Sequence, residues 1–149
     1  MKSWPKYPVV YEINSFVWLN ELSGKHGRPV TLATVPLEEW NNLESLGVDA
    51  VWFMGVWERS PAGIKVACEN RALMSEFRNV LPDFHDKDLA GSAYCVRNYI
   101  VDRKIGGPEG LAHARDMLSR RGIRLILDFV PNHVSPDHPW ASSHPEYFI

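Results

Sequence analysis

LILDFVPNHVSPDHPW, Leu125–Trp140, opens as an apolar run and then delivers Asp128, Asn132, His133, Asp137 and His138 within eleven positions. A short apolar run of this kind suits a strand buried on both faces of a parallel sheet. In parallel α/β folds the polar groups that do chemistry gather where the strands end. The stretch therefore reads as a strand, Ile123–Val130, that holds a set of polar side chains at a rim.

Working outward, GGPEGLAHARDMLSRRG precedes this strand. Pro108 and Glu109 mark a helix start, Leu111, Ala114 and Leu118 give an apolar face, and Gly122 ends the helix. Further upstream, Asp49–Trp57 (DAVWFMGVW) is a second almost continuously apolar strand. It follows a helix opened by Pro36, with Glu38 and Glu39 in the first turn, Leu37, Trp40, Leu43 and Leu46 on one broad face, and Gly47 as the stop. Val9–Ile13 reads as a first strand, and the residues between it and Pro36 read as a loop rich in Gly, Ser and charge. Residues 58–106 show no clear period. A connection of that length signals function or hidden short elements, with Met74–Val80 as a helical turn or two. Strand, helix, strand, long connection, helix, strand is the order of right-handed βαβ units in a parallel sheet.

Composition narrows the function classes. The chain has 149 residues, 45% of them hydrophobic, which is enough for a real core. A net charge of −2 with interspersed signs argues against a nucleic-acid or anionic-membrane partner. Cys68 and Cys95 form no ligand cluster and read as free thiols of a reducing compartment, with a single disulfide between them as the alternative. Pro5, Pro8, Glu12 and Asn14 interrupt the N-terminal stretch, so no signal peptide or membrane span is expected there, and the expected location is cytoplasmic.

Three chemistries compete for the polar rim. Asp128 and Asn132 could satisfy loop backbone groups, as Asp and Asn often do. His133, Asp137 and His138 could ligate a transition metal, although their order is not that of an established metal motif. Carboxylate, amide and imidazole could also make directional hydrogen bonds to sugar hydroxyls, with an aromatic ring against the apolar sugar face. A phosphate loop at Gly106–Gly110 is disfavoured, because GGPEG lacks both the GxGxxG spacing and the Lys-Ser/Thr of a P-loop.

The segment DFVPNH, Asp128–His133, resembles the first conserved region of the α-amylase family of glycoside hydrolases, an Asp, three residues and Asn-His at the end of the third barrel strand. SPDHPW (Ser135–Trp140), GSAYCVRNY (Gly91–Tyr99), RGIRLILDFVPNH and YEI (Tyr11–Ile13) extend the resemblance over nearly the whole chain. It implies a TIM (β/α)8 barrel, of which about three βα units with parallel strands would lie here as an incomplete, N-terminal part. Residues 1–149 would form that partial catalytic domain, and about 131–149 the start of the connection after the third strand.

The resemblance also assigns roles. His133 and Tyr94 would bind the sugar at the cleavage site, Asp128 and Asn132 would support it, and Asn132 matches a position that binds a structural calcium in some members. The substrate would be an α-glucan or small α-glucoside, cleaved or transferred by a retaining mechanism. The two catalytic carboxylates of such an enzyme follow later strands of the barrel, so this chain alone is expected to be inactive. A non-catalytic carbohydrate-binding or interaction module is the alternative. Self-association through an open barrel edge is a further expectation. Cys95 and Asn98 depart from the family's aspartates, and Glu58 and Arg59 read as a solvated loop pair.

Overall fold

The structure is a computed structural model that describes residues 4–149. Along the chain the elements are β1 (Val10–Asn14), α1 (Ser15–His26), α2 (Leu37–Ser45), β2 (Ala50–Met54), β3 (Trp57–Arg59), α3 (Pro61–Glu69), α4 (Arg71–Val80), β4 (Val96–Val101), α5 (Gly107–Arg120), β5 (Arg124–Leu127) and α6 (Pro139–Ser143). They form two compact units. The first contains residues up to Val56 together with Ile100–Phe129, and the second contains Trp57–Tyr99 together with Val130–Ile149.

The first unit is built on a parallel sheet in the order β1-β2-β5, with Val10 opposite Ala50 and Phe53 opposite Leu127. The central strand carries the apolar run read from the sequence: Ala50, Val51 and Phe53 are fully buried. β5 is shorter than the expected Ile123–Val130, and its four residues are half-buried. It has a hydrogen-bonded neighbour on one side only among the described residues.

α2 starts after Pro36 as expected, but the face it buries is narrower than the sequence suggests. Trp40 and Leu43 are buried, while Leu37 and Leu46 are exposed. A three-residue step turns 300° about a helix of 3.6 residues per turn, so a series of such steps drifts 60° each time and leaves the core at both ends. Trp40 meets Trp18 edge-on at 5.8 Å, and Trp18 lies 5.8 Å from Phe53.

The expected loop between the first strand and Pro36 is corrected. Ser15–His26 forms α1, capped by the Asn14 side chain accepting from Val17 N at 3.3 Å and closed by Gly27 at φ 61°. Its buried positions are only Ser15, Leu19 and Leu22. That is too short an apolar series to stand out among the surrounding Gly, Ser and charged residues.

α5 buries Gly110, Ala114 and Leu118, an i, i+4, i+8 line. A Cβ on Gly110 would meet Ala33 N at 3.3 Å and Leu32 Cβ at 3.4 Å, so a glycine here lets the helix approach the 31–33 segment. The glycines of GGPEG thus have a packing role.

The second unit resolves the long aperiodic connection into short elements. β3 pairs with β4 in a two-stranded sheet. Ser60 caps α3, its hydroxyl accepting from Gly63 N at 2.8 Å. Asn70 ends α3 and caps α4, accepting from Leu73 N at 3.1 Å. The expected turn at Met74–Val80 is the latter part of α4. Helices of nine and ten residues give too few repeats for a period to show in sequence. Glu58 and Arg59 are not a solvated pair: Glu58 accepts from Arg97 Nη1 at 3.1 Å and from Asn98 Nδ2, and Arg59 Nη1 donates to Gly91 O at 2.7 Å.

Candidate functional site

In the first unit, Asp128 follows directly on β5 and is buried, 7% exposed. Its Oδ1 accepts from the Trp52 indole Nε1 at 2.8 Å, and its Oδ2 accepts from the backbone N of Gly55. Trp52 lies on β2. Gly55 follows that strand at φ 77°, a conformation that suits glycine and turns its N–H toward the carboxylate. Both oxygens are therefore committed to donors from the neighbouring strand.

In the second unit, Tyr94 and His133 come together although 39 positions separate them. His133 Nε2 lies 3.0 Å from the Tyr94 carbonyl, and its Nδ1 lies 2.9 Å from Asn132 Nδ2. A carbonyl only accepts and an amide nitrogen only donates, so the two contacts agree on one neutral tautomer with its proton on Nε2. His133 is exposed and Tyr94 is 41% exposed, leaving ring surface accessible to a ligand.

Asp137, singled out in the sequence only as a candidate metal ligand, is the most heavily bonded carboxylate of this unit. Ser60 Oγ and Ser135 Oγ donate to its Oδ1, the latter at 2.8 Å, and Ala62 N donates to its Oδ2 at 3.1 Å. Burial pushes its pKa up, but the hydrogen bonds from Ser60, Ala62 and Ser135 outweigh burial and hold it below the usual carboxylate range. His138 caps α6, its Nδ1 accepting from Trp140 N at 3.1 Å. His133, Asp137 and His138 are thus each engaged separately and do not converge on a metal. Among the described residues, the group of three with ligand atoms close together is His26, Glu38 and Glu39, within 4.8 Å. There Lys25 Nζ already sits on Glu39 Oε1. The hydrogen bond from Lys25 is the main reason Glu39 is held below its ordinary value, against burial, with Asn42 and His26 assisting.

The second unit also has an apolar cavity of about 730 Å3 between α3, α4 and the segment that follows, walled by Val66, Leu73, Phe77, Leu81, Phe84 and Leu89. Neither Tyr94 nor His133 lines it.

Parallel strands joined through helices, with Asp128 following the C-terminal end of β5, define an α/β fold that keeps polar side chains at its strand ends. Residues 37–147 match the family description "Alpha amylase, catalytic domain", and the chain belongs to the α-amylase family. The trehalose synthase/amylase TreS of Mycobacterium tuberculosis is 41% identical over 61 residues, 40% of this chain and 10% of that protein. An oligo-1,6-glucosidase of Parageobacillus thermoglucosidasius is 30% identical over 98 residues, 66% of this chain and 13% of the relative. Among solved structures, an α-amylase from Lactobacillus plantarum superposes with a TM-score of 0.62 at 20% identity, over 95% of this chain and 26% of that one. The chain thus spans about a tenth of the TreS relative and about a quarter of the solved amylase. The match to the solved amylase identifies the fold of the described residues as part of a barrel, which three parallel strands leave unclosed.

Proposed function

We propose that this chain supplies the first βα units, and one wall of the sugar site, of a catalytic domain that hydrolyses or transfers α-glucosidic bonds with retention. Family membership supports the reaction class. The observation that carries the site is the 3.0 Å contact between His133 Nε2 and the Tyr94 carbonyl. It joins the two residues that the family resemblance gives to one sugar. The Tyr94 ring would lie against the apolar face of that sugar, and His133 would accept from a hydroxyl at the Nδ1 that Asn132 now covers. Both imidazole nitrogens already have protein partners, so a hydroxyl would enter by displacing one of them. Asn132 Nδ2 is exposed and is the easier to displace.

Asp128 would have a supporting role at the end of its own strand and not attack the sugar, because both its oxygens are held by donors of the first unit. A retaining mechanism needs two carboxylates roughly 5 Å apart, and in this reading neither comes from these residues. Small α-glucosides are the substrates to try first, trehalose among them, because the TreS relative is named for that sugar.

The donor set around Asn132 fits calcium poorly. Asn132 offers one side-chain oxygen where the ion takes six to eight, and Asp137 is tied by three donors. A calcium titration followed by Tm tests the site without assaying turnover. Cytoplasmic location and self-association belong to the same reading. Cys68 and Cys95 are free thiols, no helix of the described residues is long and apolar enough to cross a membrane, and β1 is an edge strand with Val10 and Tyr11 exposed.

The test is His133→Ala in the complete protein. The expected loss is mostly in kcat, by roughly 2–4 kcal/mol of transition-state stabilisation. An unchanged kcat refutes the assignment. No turnover by the complete protein, together with calorimetric sugar binding that Tyr94→Ala abolishes, would favour a carbohydrate-binding module instead.

A further inference from the structure

We propose that Asp137 is a positioning residue for the pair Tyr94 and His133, fixing the geometry with which they meet a sugar. This inference rests on the sugar-site reading above.

The second unit is made from two separate stretches of chain. Tyr94 lies on one and His133 on the other. The hydrogen bond between them is exposed and neutral, and such a bond contributes too little on its own to hold two loops in register against water. Something nearby must fix the spacing, and the buried groups nearby converge on Asp137.

Ser60, on the first stretch, is 1% exposed, and so is Ser135 on the second. Both hydroxyls donate to Asp137 Oδ1. From this knot the backbone leads directly to the sugar-binding pair. Ser60 N donates to Cys95 O at 3.0 Å, one residue from Tyr94. Ser135 N donates to Val96 O at 3.4 Å, and Ser135 is two residues from His133. Asp137 Oδ2 meanwhile accepts from Ala62 N in the first turn of α3, where a negative charge also suits the helix dipole.

The residue type is specific to this task. Three donors converge on one side chain, and an ionised carboxylate accepts on both oxygens. Asparagine would turn an NH2 group toward one of those donors, either the Ala62 N–H or the two serine hydroxyls. Removal of the acceptor would leave buried serine hydroxyls unsatisfied and free the two stretches to shift. A misplacement of about 1 Å caused far from the reacting atoms can cost about 100-fold in rate.

The test is a double-mutant cycle in the complete protein, reading kcat/KM on an α-glucoside together with Tm, and a tautomer measurement on His133. Asp137→Asn is expected to lower kcat/KM by about tenfold or more, and to add less than about twofold in a His133→Ala background. In nitrogen-resolved spectra taken above the imidazole's titration range, His133 should keep its proton on Nε2 in the parent protein and average between tautomers in Asp137→Asn. Loss of Tm alone, with kcat/KM within about twofold of the parent, means a merely structural role and overturns the proposal. So does an equal drop in kcat/KM with or without His133, or a single Nε2–H tautomer that survives in Asp137→Asn.

Where Asp137→Asn does not fold, Ser135→Ala takes its place, since it removes one donor and keeps the carboxylate. The same tautomer averaging is then expected, and its absence overturns the proposal. If His133→Ala itself leaves kcat/KM unchanged, the sugar-site reading fails, and the tautomer measurement still decides whether Asp137 fixes His133.

Discussion

Removal of the Asp128 carboxylate should release the C-terminal end of β2 from that of β5, and the size of the effect follows from its partners. Oδ1 holds the Trp52 indole at 2.8 Å, and Oδ2 holds the buried backbone N–H of Gly55. Hydrogen bonds to a charged group contribute about 1.5–3 kcal/mol each, and a buried donor left without an acceptor costs about 1–3 kcal/mol. Loss of a carboxylate that is itself costly to bury returns part of this. Asp128→Ala should therefore cost about 2–4 kcal/mol, and Asp128→Asn about half of that, because one amide oxygen survives. With a mid-range urea m-value of about 2 kcal/mol/M, the Ala midpoint falls by about 1–2 M. Trp52→Phe, which removes one donor, should couple with Asp128→Ala rather than add to it. Amide exchange at Gly55 should accelerate in both Asp128 variants. A cost below about 1 kcal/mol for Asp128→Ala, or equal costs for Ala and Asn, would refute the reasoning.

Two further outcomes test the packing and the electrostatics. Trp40 is fully buried and its indole N–H has no hydrogen-bond partner among the described residues, so Trp40→Ala should cost about 3–5 kcal/mol while Trp40→Phe should cost about 1 kcal/mol or less. Urea midpoints separate the two, and a Phe variant as damaged as the Ala variant would contradict this account. Glu39 and Asp137 both titrate below their ordinary values in the folded protein, so the stability they contribute is present above the unfolded carboxyl range and is lost as pH falls through their folded values. Lys25, raised chiefly by its hydrogen bond to Glu39, works in the opposite sense and loses its contribution only as pH rises above the ordinary lysine range. Acid titration of stability should flatten in Glu39→Gln, and an unchanged acid limb would exclude Glu39 as a contributor.

The parallel sheet was legible because its central strand is continuously apolar and its helices carry their own stop signals. Gly47 and Gly122, both at positive φ, follow α2 and α5 as the sequence suggests. α1 was not legible, because three buried positions spread over twelve residues do not make a stripe. α3 and α4 were hidden by brevity, although Ser60 before Pro61 and Asn70 before Arg71 are cap signals that a closer reading of turn residues would catch. The polar rim was found as a set but not sorted. His133 and Tyr94 meet through a backbone carbonyl, a contact that leaves no mark on side-chain pattern. Asp137 sat among the metal candidates because its three donors come from Ser60, Ala62 and Ser135, and two of these lie more than 70 positions away.

The knot at Asp137 limits how this region can be exchanged during evolution or by design. The second unit is written in two separated stretches of gene, and Asp137 in the second closes the start of α3 in the first. A graft that imports residues 57–99 from a relative without residues 130–149 would leave Asp137 facing foreign residues at positions 60 and 62. Viable recombinants should therefore inherit both stretches from one parent, or keep an aspartate at 137 with serines at 60 and 135. A single crossover inside the α3–α4 pair meets the same restriction, because it separates Ser60 and Ala62 from Asp137.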